Sequence, residues 1–378
     1  MELIRRNLLV AGLACLPLGV TAAYSLLRYP IHTSSIIPQY LLLSSVTDKQ
    51  GLHYLAALNE AGEIHYQLPI PERAHDSLFN SRRSEAIYFG RSPSQSIYVV
   101  NVIDKRLTTV IASAQNRCFY GHGIIDKTNS YLYVVEKNMR TNNGCVGVYD
   151  VNDRYKRIDE IDSYGVGPHQ ISLLSDNKTL VVANGGLLKD SNKNIINYDD
   201  FRSSLAYINS DNGALIDRYA SEFSRNSLRH LTVDIEDRVF VGAQSYSDEV
   251  SPLIFYHGGE DQLTPFVTEE YIWQAHKKYT ASLAVYNNQL IVSSPRGGVL
   301  TFWDTKEKRF LSKHNYIDVA GLSMQSTKDA SSLFVSTGQG RVVSINMESE
   351  SVSKSASHSY YSENIAWDNH LSLAALSS

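Results

Sequence analysis

Four histidines recur along this chain at one kind of position. His75, His122, His169 and His230 each open a short apolar run: Ala74-His75-Asp76-Ser77-Leu78, Gly121-His122-Gly123-Ile124-Ile125, Pro168-His169-Gln170-Ile171-Ser172 and Arg229-His230-Leu231-Thr232-Val233. They are 47, 47 and 61 residues apart. Brought to one level by a fold, several imidazoles can take up Cu, Zn, Fe or Ni, and His122, His169 and His230 are the expected metal set. Asp76 and Glu136 are candidates to ligate or orient them. The same histidines can instead line a pocket for a small polar ligand, or simply hydrogen-bond to backbone and ordered water. Arg296, in Ser294-Pro295-Arg296-Gly297-Gly298, can hold a carboxylate or phosphate through its planar fork, or bridge two loops. The chain carries no Gly-x-Ser-x-Gly elbow, no His-Glu-x-x-His helix, no Cys-x-x-Cys-His haem site and no phosphate loop. No haem or nucleotide cofactor is therefore expected, and a transition metal is the one candidate.

The elements that must position these residues are short strands. The histidine-bearing run returns without histidine as Ala281-Ser282-Leu283, Ala320-Gly321-Leu322 and Glu363-Asn364-Ile365. Anchors at 75, 122, 169, 230, 282, 321 and 364 differ by 47, 47, 61, 52, 39 and 43, near the roughly 40–50 residues of a four-stranded propeller blade. The long interval contains an insertion, 187–202. Within one unit the strands read 122–126, 131–135, 146–150 and 157–161, separated by the polar turns Lys127-Thr128-Asn129-Ser130, Asn142-Asn143-Gly144 and Asn152-Asp153-Arg154. The expected fold is all-β: a seven-bladed β-propeller with four-stranded blades. The inner strand at 363–370 has too little chain after it for a blade, and strands near 40–46, 53–59 and 64–70 lack an inner strand. N-terminal strands are thus expected to pair with the C-terminal inner strand and close the ring, leaving no open edge.

Antiparallel blades put the start of each first strand and the end of each second strand on one face. His75, His122, His169 and His230 are therefore expected to ring the channel mouth, with Glu136, Asn184, Gln244 and Arg296 around the same rim, beside Arg91 and Asn138. The remaining blades offer Ser282, Gly321 and Asn364, which gives the channel a histidine side and a small-residue side. The loop 187–202 and the connection 268–278, which can be helical, fall on that same face, where propellers carry function.

The formal net charge of −4 and pI near 6.3 leave no basic footprint for nucleic acid. At the N-terminus, Arg5-Arg6 precede an apolar stretch through Val20 and the small residues Thr21-Ala22-Ala23. Residues 1–23 read as an export signal, and Arg5-Arg6-Asn7-Leu8-Leu9 resembles the twin-arginine type; a general secretory signal or an uncleaved anchor are the alternatives. Pro17 and Gly19 argue against a membrane span. Residues 24–38 read as a tether and 39–372 as one domain. The expected location is the periplasm, the expected state a monomer, and the only membrane contact expected is through the N-terminal segment. Cys118 and Cys145 can pair in an oxidising compartment or remain two buried thiols.

These residues resemble one family, the exported bacterial proteins grouped as domain of unknown function 1513, within the quinoprotein-like, YVTN-type seven-bladed propellers. The resemblance covers about residues 40–370. It is carried by Tyr120-Gly121-His122-Gly123, Gly144-Cys145-Val146-Gly147-Val148-Tyr149-Asp150, Gly165 to Gln170, Val182-Ala183-Asn184-Gly185-Gly186, Leu228-Arg229-His230-Leu231, Ser294 to Gly298 and Trp367-Asp368-Asn369-His370. Where the family's first motif reads Arg-Gly-His-Gly, this chain has Arg73-Ala74-His75-Asp76. The resemblance implies a propeller without an established activity. Its members resemble in setting exported iron-uptake and imelysin-type peptidase systems, which implies a metal-linked periplasmic role.

Three functions follow as expectations. The first is a periplasmic protein that binds a small ligand, a metal ion or a partner at the histidine-lined mouth, in connection with iron or metal uptake. The second is a lactonase-type hydrolase, similar in its Gly-Pro-His opening, in which Glu136, Asn184 and histidines hold a metal that activates water. The third is a protein-interaction scaffold using the loops at 187–202 and 265–280.

Overall fold

The computed structural model describes residues 38–188, 194–326, 331–348 and 356–376. The expected export signal, all of the tether except residue 38, and residues 189–193 of the insertion lie outside them. The described residues build seven antiparallel sheets. Blade 1 runs Ala74–Asn80, Glu85–Gly90, Ser96–Asn101, Arg106–Ala112. Blade 2 runs Arg117–Ile125, Tyr131–Asn138, Asn143–Asp150, Lys156–Val166, and blade 3 Pro168–Leu173, Thr179–Asn184, Ser204–Asn209, Leu215–Ala220. Blade 4 comprises Asn226–Val233, Val239–Ser245, Ile254–His257 and the two-residue Thr264–Pro265. Blades 5 and 6 begin at Leu283–Tyr286 and Val319–Ser326. In blade 7, Tyr40–Asp48, His53–Asn59 and Ile64–Ile70 form three strands. The innermost position is shared by two short pieces, Ile365–Trp367 against Val46–Asp48 and Ser372–Ala375 against Tyr40–Leu43.

The sequence forms these strands for a simple reason. Second and third strands are buried on both faces because each sheet packs between two others, so they read as continuous apolar runs: Val239–Ser245 is buried throughout. Outer strands have one wet face and alternate, as Arg309–Asn315 does from end to end. Hairpin turns place Asn129, Asn177 and Asn287 in the left-handed region, which Asn tolerates better than most residues. Seven apolar clusters lie between neighbouring sheets, from Ile87, Phe89, Leu132 and Val134 between blades 1 and 2 to Leu41, Leu55, Tyr88 and Tyr98 between blades 7 and 1. The molecule's hydrophobic core is thus a ring of interfaces around a polar axis.

The insertion at 187–202 joins the second and third strands of blade 3, and the connection from blade 4 to blade 5 contains the one α-helix among the described residues, Glu270–Ala275. Its Trp273 stacks on the fully buried Trp303 at 4.9 Å and 15°, which ties this connection to the blade 4–blade 5 core. Cys118 and Cys145 are both free and buried. Cys118 pairs with Lys137 and Cys145 with Glu136, so they flank one strand, about 9–10 Å apart, and point to opposite faces. That separation exceeds what a disulfide spans.

Candidate metal centre

Each histidine leaves its strand at a register break. The inner-to-second strand ladder skips between Ala74 and Asp76, between Phe119 and Gly123, between Pro168 and Gln170, and between Leu228 and Leu231. A bulge frees one residue from the ladder and re-aims its side chain, and in all four blades the freed segment contains the histidine. At Gly121 the backbone has φ +100°, and a Cβ there would stand 2.9 Å from His75 Cδ2, so only glycine fits.

A fifth histidine completes the set. Between the two inner pieces of blade 7, Asp368 to Leu371 bulges inward and delivers His370. The anchor of blade 7 is therefore His370 rather than Asn364, which is exposed before the strand begins. The expected division into a histidine side and a small-residue side is corrected accordingly: five of the seven blades contribute a histidine to the cluster, and Ser282 of blade 5 supports one of them. His75, His122, His230 and His370 are buried and His169 is partly exposed, so the cluster lies inside the channel and not on an open rim. Ring centroids approach to 4.6 Å for His169–His230 and His230–His370, 4.7 Å for His75–His370 and 4.8 Å for His122–His370. Ligand atoms of His75, His122 and His169 lie within 4.8 Å of one another, and so do those of His75, His230 and His370.

Hydrogen bonding fixes where the protons are. His122 Nδ1 stands 2.8 Å from Asp76 Oδ2, and His75 Nδ1 2.9 Å from Asp368 Oδ1. Carboxylates accept only, so both Nδ1 atoms carry hydrogen. Burial pushes the Asp76 carboxyl up, but His370, His122 and the Ser77 N–H outweigh it and hold it at about 2. Asp368, equally buried, is held well below the usual range by His75, Arg73 and the Asn369 N–H. His230 Nδ1 is 3.2 Å from Gln170 Oε1, the oxygen that also accepts the Leu231 N–H at 3.1 Å, so His230 donates too. Ser282 Oγ donates its one hydrogen to the Asn369 carbonyl at 2.9 Å and stands 3.1 Å from His370 Nδ1. It must therefore accept from His370. In these four rings the lone pair is left on Nε2. Two of those atoms, His122 Nε2 and His370 Nε2, are buried without any partner, and a third, His230 Nε2, faces His169 Nε2 at 3.3 Å. Burial holds His75 below the ordinary imidazole value and His169, His230 and His370 well below it, so protonation is a poor remedy for the unpaired His370 Nε2.

Other expected site residues lie elsewhere. Glu136 is fully buried but belongs to the outer part of blade 2, where it accepts from Tyr149 Oη at 2.5 Å and pairs with Arg157 at 3.0 Å. Asn184 donates to the Ser163 carbonyl at 2.8 Å and holds blade 3 to the end of blade 2. Placing either on the histidine rim is corrected, and with it the metal set of Glu136, Asn184 and histidines. Gln244 and Arg296 meet at Tyr279: Gln244 bridges its backbone, and the Arg296 guanidinium lies 4.7 Å over its ring. Tyr279 Oη accepts from Asn369 Nδ2 at 3.1 Å, one residue from His370. On the other side of the histidines, the channel opens into a cavity of about 310 Å³ lined by Asp76, Gln170, Ser282, His370, Ser172 and Thr232 among others.

The family model described as a protein of unknown function, DUF1513, matches residues 68–374. The chain belongs to that family. No curated protein matches it. Within this DUF1513 chain the matched span contains all five histidines together with Asp76, Gln170, Ser282 and Asp368.

Proposed function

We propose that this DUF1513 protein is an exported propeller that binds one transition-metal ion at the histidine cluster, as a holding site in metal uptake. The observation that carries the reading is a buried group of five imidazoles whose ligand atoms lie within 4.8 Å of one another in two overlapping sets of three, with His122 Nε2 and His370 Nε2 left without a partner while Asp76, Asp368, Gln170 and Ser282 pin the Nδ1–H of His122, His75, His230 and His370. That is the outer-shell arrangement of metal-bound imidazole. An all-imidazole set suits Cu, Zn, Fe or Ni, and His169, His230 and His370, which burial keeps neutral, need not lose a proton to bind. Binding is favoured over hydrolysis because both nearby carboxylates are already engaged with histidine, and Glu136 is out of reach.

Elemental analysis of the purified exported chain, loaded with each ion and then desalted, tests the reading. About one ion per chain is expected. His122→Ala with His370→Ala should lose it while keeping the circular dichroism of the parent. No retained ion from any of the four metals overturns the proposal. Fractionation with Arg5→Lys and Arg6→Lys tests the export route, with precursor accumulating in the cytoplasm if the twin-arginine reading holds.

A further inference from the structure

One layer from the histidines, toward the face that carries the long connections, four arginines gather. Arg73 is paired with Asp368. The other three have no carboxylate partner among the described residues. Arg91 and Arg296 are exposed at the ends of second strands in blades 1 and 5. Arg229 immediately precedes His230; its Nη2 donates to Tyr246 Oη at 3.2 Å, and its Nε is buried with no partner. The Arg296 guanidinium lies 4.7 Å over the Tyr279 ring, and the Arg91 backbone N–H donates to the Arg73 carbonyl at 2.8 Å; burial raises the Tyr279 hydroxyl, and the guanidiniums of Arg229, Arg296 and Arg91 oppose that. Arg91 also acts on His75, and Arg229 on His169. Tyr279 Oη accepts from Asn369 Nδ2, so its own O–H remains free to donate. The buried Asp368 carboxylate is spent on Arg73 and His75.

Three cations sharing one mouth repel one another, and a buried guanidinium N–H without an acceptor is costly. An oxyanion resolves both. Guanidinium forks match carboxylate and phosphate oxygens two at a time. We infer that this mouth is an oxyanion site, where Arg91, Arg229, Arg296 and the Tyr279 hydroxyl take a small molecule bearing carboxylate or phosphate groups. That the anion then covers a metal on the histidines rests on the function proposed above; the anion site itself does not.

Calorimetric titration of the metal-stripped full chain with citrate and, separately, with inorganic phosphate tests it. Saturable binding of at least one is expected, and the tighter of the two identifies the source. Arg91→Gln with Arg296→Gln, both exposed positions, should weaken it about tenfold or more. Lys306→Gln, in an exposed turn on the opposite face, should leave it unchanged. No saturable binding of either anion, or equal binding by the arginine variant, overturns the site. Metal content is measured in the same preparations. The arginine variant should still retain its ion, so loss of the anion site and loss of the metal site read out separately.

Discussion

Two regions of this molecule gather metal-type donors equally closely. In the channel, His75, His122 and His169 bring ligand atoms within 4.8 Å; in blade 2, Glu136, Cys145 and Glu160 do the same. Their chemistry differs in what the donors already hold. Arg117 grips Glu160 through Nε at 2.7 Å and Nη2 at 2.8 Å, and Arg157 links Glu160 to Glu136 at 2.6 and 3.0 Å. Burial pushes the Cys145 thiol up to about 12, helped by Glu136 and Glu160, so it stays protonated and is a poor ligand. The blade 2 group is a closed ion network that completes itself. In the channel group the Nδ1–H supports of His75 and His122 are satisfied, while His122 Nε2, like His370 Nε2 beside it, is buried without a partner. Proximity of donors is common to both; an unspent lone pair is what distinguishes a site from a clamp.

Removing ligands should separate the two most sharply. His122→Ala with His370→Ala is expected to lower metal affinity by more than about a hundredfold, beyond the cost of losing an outer-shell partner alone, as read by competition with a chelator. Glu136→Gln should leave metal content unchanged and instead destabilise the fold by about 3 kcal/mol, because Arg157 is left partly buried without its deepest partner. Urea unfolding measures that loss. A Glu136→Gln protein that loses its ion, with normal stability, would reverse the assignment of the two regions.

The blades were legible because each strand's burial is written in its own residues and each turn in its Asn, Asp and Gly. The histidine repeat was legible for the same reason, since it sits at a fixed point of the repeated unit. His370 is not legible in this way, because the inner strand of blade 7 is interrupted: the run Ile365–Trp367 ends before the bulge, and the repeat spacing from Gly321 points to Asn364. Glu136 and Asn184 were misplaced because a strand end fixes height along the axis but not the side of the pleat, and a shift of one residue changes faces. The pairing of His75 with Asp368 spans 293 positions, and nothing local in either segment announces it. The bulges themselves left only a faint trace, the Gly121 and Gly167 beside two of the histidines.

Asp76 tests how far the supports matter. Asp76→Asn keeps the size and can still accept from His122 Nδ1, but removes the charge. Metal affinity should fall about 10–100-fold with stoichiometry preserved; Asn80→Asp, away from the channel, should have no such effect. Unchanged affinity would mean that Asp76 does not orient His122 toward a ligand.

Acid distinguishes the regions last and most gently. Burial keeps His169, His230 and His370 below 6.5, with neighbouring charge adding to it at His169 and His230 and Asp76 opposing it at His370, while the unfolded chain takes up protons normally. Folded groups that refuse protons destabilise the fold as pH falls below the unfolded value, by about 1.4 kcal/mol per pH unit for each histidine. Glu160 runs on a different scale: the Arg117 hydrogen bond holds it below 4.5, so its contribution is fully present above 4.5 and is lost only as pH falls through its folded value. The metal-free protein should therefore lose stability between about pH 6.5 and 4.5 on account of its buried imidazoles, before the blade 2 network begins to open. His276, pushed to about 3 by burial, adds to the same window from outside the cluster. His370→Gln should then reduce the slope by one histidine's share and no more. A denaturation midpoint that is flat from pH 6.5 to 4.5, or a slope untouched by His370→Gln, would show that the channel imidazoles take up protons in the fold and that their lone pairs are not held for a cation.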